Sequence, residues 1–222
     1  MANNAKANDL KSPKFILTEG KHELRWFSAY LRHAAIPGIQ VLSYEGKDKF
    51  RLFFANLVND ASFRQAEAFL VTRDCDDNPA GCFQSIADSL AACGLARPVA
   101  PWTWMTSANP KSVATPPAQI RYNVLMFPAA GQHGALEEIL LQSLTSDPMH
   151  TAATGLVDQA VNTLAAGPRP PPRAHWQGKA KVHALLSTFE RPDCDQGSAA
   201  ENSYFDFNHA SFAGIRAAVQ AL

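Results

Sequence analysis

Apolar residues recur along this chain in two rhythms that alternate with one another. The short run "KFILTEG" closes on a glycine, as a buried strand with its turn does. In the following "KHELRWFSAYLRHAAIPG", Leu24, Phe27 and Leu31 fall at helical spacing before Pro37 and Gly38 end the segment. The alternation then repeats. "IQVLSY" and "AFLVTR" read as strands, "KDKFRLFFANLVND" as an amphipathic helix, and "PAGCFQSIADSLAACG" as a helix with Pro79 in its first turn and Gly94 past its end. Three strand-helix pairs in succession predict an α/β fold, a parallel central sheet with helices on its faces.

The rhythm breaks over residues 96–119, a stretch rich in Pro, Ser and Thr that reads as a loop or insertion. It resumes with "IRYNVLMFP" as a fourth strand and "GALEEILLQSL" as its helix. A mixed helix near 150–165, the stiff connector "GPRPPPR" and two closing helices, "KAKVHALLSTF" and "HASFAGIRAAVQAL", complete the chain. The organisation expected is a flexible N-terminus at 1–13, an α/β domain at 14–146, and a C-terminal extension at 147–222 packed on that domain.

Composition narrows the partners. The chain has 222 residues, of which 46% are apolar, enough for a sizeable core. Its 20 basic and 20 acidic side chains cancel, so no global field draws it to a polyanion or an anionic membrane. There is no apolar run long enough for a bilayer span and no secretory leader, which points to a cytoplasmic protein. Cys75, Cys82, Cys93 and Cys194 have neither zinc-knuckle spacing nor disulfide density and read as reduced and mostly buried.

Charge placement then raises a sharper question. "FLVTRDCDDNPAG" leads from a buried strand directly into Asp74, Asp76 and Asp77. Carboxylates this close repel one another, and something cationic is expected beside them. In an open parallel sheet the carboxyl ends of the strands share one crevice. Glu19 ends the first strand and Asp74 the third, so both belong to that rim. Asp76, two residues on, projects to the side of Asp74 if the segment stays extended, and Glu23 sits one helical turn from Glu19. Four such oxygen donors suit magnesium or manganese.

"ILTEGKHE" followed by "LVTRDCDD" resembles the TOPRIM domain, with its glutamate-glycine after strand one and aspartate-any-aspartate after a later strand. The resemblance covers residues 14–146. With "MFPAAGQHGALEEILL" and "YFDFNHASF" it extends to small stand-alone bacterial TOPRIM-like proteins, and it is similar to the TOPRIM domain of OLD-family nucleases. It implies Glu19 as metal ligand or general acid/base and Asp74 and Asp76 as ligands of Mg2+ or Mn2+. Glu23 stands where OLD-type sequences more often carry aspartate. Glu137 or Glu138 would match a later acidic position, and Lys179 or Lys181 a lysine that completes such sites. The activity implied is nuclease-like phosphodiester hydrolysis on DNA or RNA. OLD-type nucleases carry an ATPase domain, which here would be a separately encoded partner. The alternative is a non-catalytic, metal-stabilised binding subunit.

Plainer roles compete for several residues. Asp77 or Asn78 can cap the helix that begins at Pro79, and for Asp77 capping is the preferred role. Glu137 and Glu138 open a helix, where negative charge meets its dipole. Lys47 and Lys49 are surface lysines or phosphate contacts. Arg169, Arg173 and Trp176 lie in an acid-free stretch that is either a solvated linker or a strand path with Trp176 stacked on a base. Other motifs fail: an EF-hand loop would put Pro79 at its glycine position, "HELRW" lacks the second zinc histidine, and "YEGKDK" is not a phosphate loop.

Overall fold

The computed structural model describes residues 9–168 and 170–222. Five strands, β1 (Lys14–Thr18), β2 (Ile39–Ser43), β3 (Ala68–Asp74), β4 (Met105–Ala108) and β5 (Gln119–Phe127), form one sheet in the order β2-β1-β3-β5-β4. The first four in that order run parallel, and β4 pairs antiparallel with β5 at the edge. The sheet is therefore mostly parallel, not wholly so. β4 lies within the 96–119 segment, where four residues of mixed polarity carry too little pattern to mark a strand. Trp102 anchors that segment by donating its indole N–H to the Met126 carbonyl.

Helices cover both faces. α1 (Lys21–His33), α4 (Leu136–Ser143), α6 (Ala174–Leu186), α7 (Gln196–Glu201) and α8 (Ala213–Gln220) pack on one face, while α2 (Phe50–Asn59) and α3 (Pro79–Ala92) pack on the other. The residues of each central strand divide accordingly. Ile16, Leu70 and Leu125 belong to the core beneath α1, whereas Phe15, Phe69 and Val124 belong to the core beneath α2 and α3. Burial on both faces is why the strands read as continuous apolar runs.

The crossover from β1 through α1 to β2 and the return through α2 to β3 use opposite faces of the sheet. This makes the gap between β1 and β3 a topological switch point, where the carboxyl ends open a crevice.

The extension is continuous with this architecture. Val182, Leu185 and Leu186 of α6, with Phe205, Phe207 and Phe212 after α7, share the core of Trp26 and Phe27. α7 has no signal in the sequence; its six residues are mostly small, and Asp195 caps it through Ser198 N–H. α5 (His150–Ala165) packs against α6 and buries only Ala153. At the other end Leu10 is buried, its N–H donating to Ser62 Oγ and its carbonyl accepting from Gln65 Nε2. The part of the 1–13 stretch that is described is thus docked on the domain. All four cysteines are free; Cys75 and Cys194 are buried and the other two half-buried.

Candidate functional site

Glu19 and Asp74 sit at the carboxyl ends of β1 and β3, on either side of the switch point. Their nearest partners differ. Asp74 Oδ1 accepts the N–H of Leu136 at the start of α4, 3.0 Å away, and Oδ2 faces Lys179 Nζ of α6 at 3.7 Å. Glu19 Oε2 lies 3.5 Å from Arg73 Nε, an arginine inside β3 whose side chain is 6% exposed. Neither atom of that pair makes a hydrogen bond.

Asp76 departs from the expected geometry. β3 ends at Asp74, and Asp76 has φ +46°, so two-residue alternation does not carry through to it. Its backbone instead forms an antiparallel bridge with Gly134, and its carboxylate is 3.9 Å from Lys47 Nζ. A non-glycine residue in the left-handed region stores local strain of a kind that gathers at functional loops.

The remaining candidates separate cleanly. Glu137 is buried beside Lys179, whereas Glu138 turns back to accept the Ala135 N–H at 2.7 Å as a helix cap. Lys179 enters the acid cluster, whereas Lys181 points to Asp158, 2.7 Å away. Of the two cap candidates, Asn78 caps α3 by accepting the Gly81 N–H. Gly178 lets α6 approach this close, since a Cβ there would meet Glu138 Oε1.

Electrostatically the acids behave as one group. Burial raises the Glu19 carboxyl above its ordinary range; Arg73 opposes the shift, and Glu23 and Asp76 add to it. Burial also holds Asp74 well above its ordinary range, reinforced by Glu137 and Glu23. Glu137 is pushed up to about 7, chiefly by burial, against the pull of Lys179. Burial works against the charge on Lys179, but Glu137, Asp74, Asp76 and Glu23 outweigh it and hold the ammonium above its usual range.

Three carboxylate oxygens here, Glu19 Oε2, Glu23 Oε2 and Glu137 Oε2, are buried without any hydrogen-bond donor. Buried acceptors are normally satisfied, and leaving one bare costs about 1–3 kcal/mol. In donor type and charge the group fits a hard divalent cation. Among the described residues, no three His, Cys, Asp or Glu side chains converge closely enough to hold a metal ion as they stand. Glu19, Asp74 and Asp76 each face a cation of the chain, Arg73, Lys179 and Lys47.

A cleft of about 370 Å3 opens at Glu19 and Asp76, lined also by Lys47, Lys49, Trp176 and Lys179 among others. Lys179 Nζ lies over the Trp176 ring, 5.4 Å from its centre. The cleft thus unites Glu19 and Asp76, which follow β1 and β3, with Lys47, Lys49 and the sequence-distant Trp176. Arg173 is exposed at the start of α6, and Arg169 lies outside the described residues. Arg73 is the site residue that sequence reasoning does not single out. Its signal is present, because an arginine within a strand buried on both faces needs a partner anion.

An open, doubly covered α/β sheet with an acid-lined cleft at its switch point defines the general class. The chain belongs to the DUF3226 family, described as proteins of unknown function, whose model matches residues 13–222. No curated protein and no solved structure matches it. The family match runs across the boundary at 146 and 147, as the shared core does. Among the described residues no helix is long and apolar enough to cross a membrane.

Proposed function

We propose that this protein carries out Mg2+- or Mn2+-dependent phosphodiester hydrolysis on nucleic acid, using a TOPRIM-like framework. The observation that supports it is the trio of buried, donorless carboxylate oxygens on Glu19, Glu23 and Glu137, beside Asp74 at the switch point. Glu19, Glu23, Asp74 and Asp76 would hold the ion. When bound, it supplies an acidified water and positive charge at the phosphate.

The chain's own groups supply the rest. Glu19, raised above the usual carboxylate range by burial, accepts the proton of the attacking water. Lys179 brings its ammonium to the phosphate oxygens from the open side of the cleft, in preorganised form because Trp176 and Asp74 flank it. Glu137 keeps Lys179 charged. A cytoplasmic location, where nucleic acid and magnesium meet and thiols stay reduced, accords with four free cysteines. OLD-like action would draw on an ATPase partner.

A second reading has its own support. Because Arg73, Lys179 and Lys47 already face the three core acids, the same framework suits a non-catalytic subunit that binds a nucleotide or a protein. Incubation with single-stranded, nicked and supercoiled DNA and with RNA, in magnesium or manganese, separates the two. Cleavage abolished by Asp74→Asn supports hydrolysis; absence of cleavage with metal binding intact supports the subunit.

A further inference from the structure

Next to the acid-lined cleft lies a second one of about 580 Å3, between the start of α2 and residues 81–89 of α3. The two share Lys47 and Asp48 as a common sill. The second cleft has a different chemistry. Arg51, Arg73 and Lys47 line it, together with the polar side chains of Gln84 and Ser85. Of the two acids there, Asp88 is engaged by Arg97 at 2.5 Å and by Gln84 at 3.0 Å; on the cationic side Lys47 lies 3.9 Å from Asp76, Arg73 lies 3.5 Å from Glu19, and Arg51 is exposed.

Arg73 joins the clefts. Its guanidinium donates to the Lys47 carbonyl at 3.1 Å and thereby fixes the sill, while its buried Nε has no hydrogen-bond acceptor. With Glu19 Oε2 3.5 Å from that Nε, the guanidinium is held between a carbonyl and a carboxylate and lines the second cleft as a fixed positive group. Arg51, exposed at the mouth, can close on an anion from the other side.

We propose that the second cleft takes the phosphate adjacent to the one at the acid rim, so that the protein binds an unpaired nucleic-acid strand laid across the Lys47–Asp48 sill. This rests on the nucleic-acid reading given above and adds to it the strand's path and its single-stranded character. At about 370 and 580 Å3 each cleft is on the scale of a pocket for one small ligand. Trp176, 54% exposed and lining the first cleft with Lys179 over its ring, suits contact with an unpaired base, since bases in a duplex are already stacked. A net charge of zero also favours a short footprint with few phosphate contacts.

The test is binding of fluorescein-labelled oligothymidylate and oligouridylate in EDTA, measured by anisotropy over a series of salt concentrations. A dA·dT duplex of equal length serves as the comparison. Arg51→Gln should weaken binding of the single strands and reduce the salt slope by about 0.7, the share of a single neutralised phosphate. Trp176→Ala should weaken it by about 5- to 150-fold while leaving the slope unchanged. The duplex should bind more weakly than either strand. Equal affinity for duplex, or an Arg51→Gln protein with unaltered affinity and slope, overturns the proposal.

Manganese binding, followed in parallel, distinguishes the two readings. If manganese binds and oligonucleotide does not, the strand path fails and the metal site stands. If oligonucleotide binding depends on Arg51 without any manganese binding, the strand path stands and hydrolysis fails.

Discussion

Lys179 Nζ stands 3.7 Å from Asp74 Oδ2, so the C-terminal extension supplies the cation for the acid at the end of β3. Glu137, Glu23 and Asp76 also act on this lysine. Replacing it by methionine leaves their buried charge uncompensated. Lys179→Met should lower stability by about 1–3 kcal/mol at pH 8, less than for a fully buried pair because the lysine is partly exposed. The loss should shrink at pH 5, where the acids take up protons. Thermal unfolding at the two pH values checks it, and an equal loss at both would contradict it.

Glu137 provides a linkage test. Its carboxyl is raised in the fold to about 7 from an ordinary 4.5, so between these values the native state binds a proton that the unfolded chain has released. Stability contributed by the protonated form is complete below about 4.5 and is lost as pH rises through 7. The loss is on the order of 3 kcal/mol. Glu137→Gln should flatten the decline between pH 4.5 and 7 and stabilise the protein at pH 8. Urea unfolding across that range measures it.

Glu138 and Gly178 form a structural control. A methyl at 178 would displace the Glu138 carboxylate that caps Ala135. Gly178→Ala should therefore cost about 1 kcal/mol in the native background. With Glu138→Ala already present it should instead stabilise by about 1 kcal/mol, because alanine is the better helix former. A double-mutant cycle reads the difference, and additive effects would refute the contact.

The Lys181 and Asp158 pair is exposed enough that Lys181→Ala should change stability by no more than about 1 kcal/mol. It should leave manganese binding and any cleavage as in the native protein. Melting curves and the cleavage assay test this choice between two lysines that the sequence alone does not separate.

Much of the framework is legible in the sequence. Continuous apolar runs with helical segments between them mark β1, β2, β3 and β5, and the placement of Glu19 and Asp74 at one rim follows from parallel strands alone. β4 and α7 escape because four mixed residues and a run of small ones have no period to detect. Within the site, spacing does not tell Glu137 from Glu138 or Lys179 from Lys181. That choice depends on which side of α4 and α6 meets the sheet, a matter of tertiary packing. Asp76 departs from expectation because the strand stops two residues earlier and the backbone turns to positive φ. Arg73 belongs to no motif, although "VTRD" places a cation directly beside the acids whose counter-charge is in question.

The central claim is that carboxylates from β1, α1 and β3 share one divalent ion. Calorimetric titration of the protein with Mn2+ at pH 8 tests it most directly, alongside Asp74→Asn, in which the acceptor for Leu136 N–H is retained. The account predicts saturable binding that Asp74→Asn abolishes and that weakens at pH 5, as protons compete for the same oxygens. No binding at millimolar Mn2+, or binding indifferent to Asp74→Asn, would contradict it.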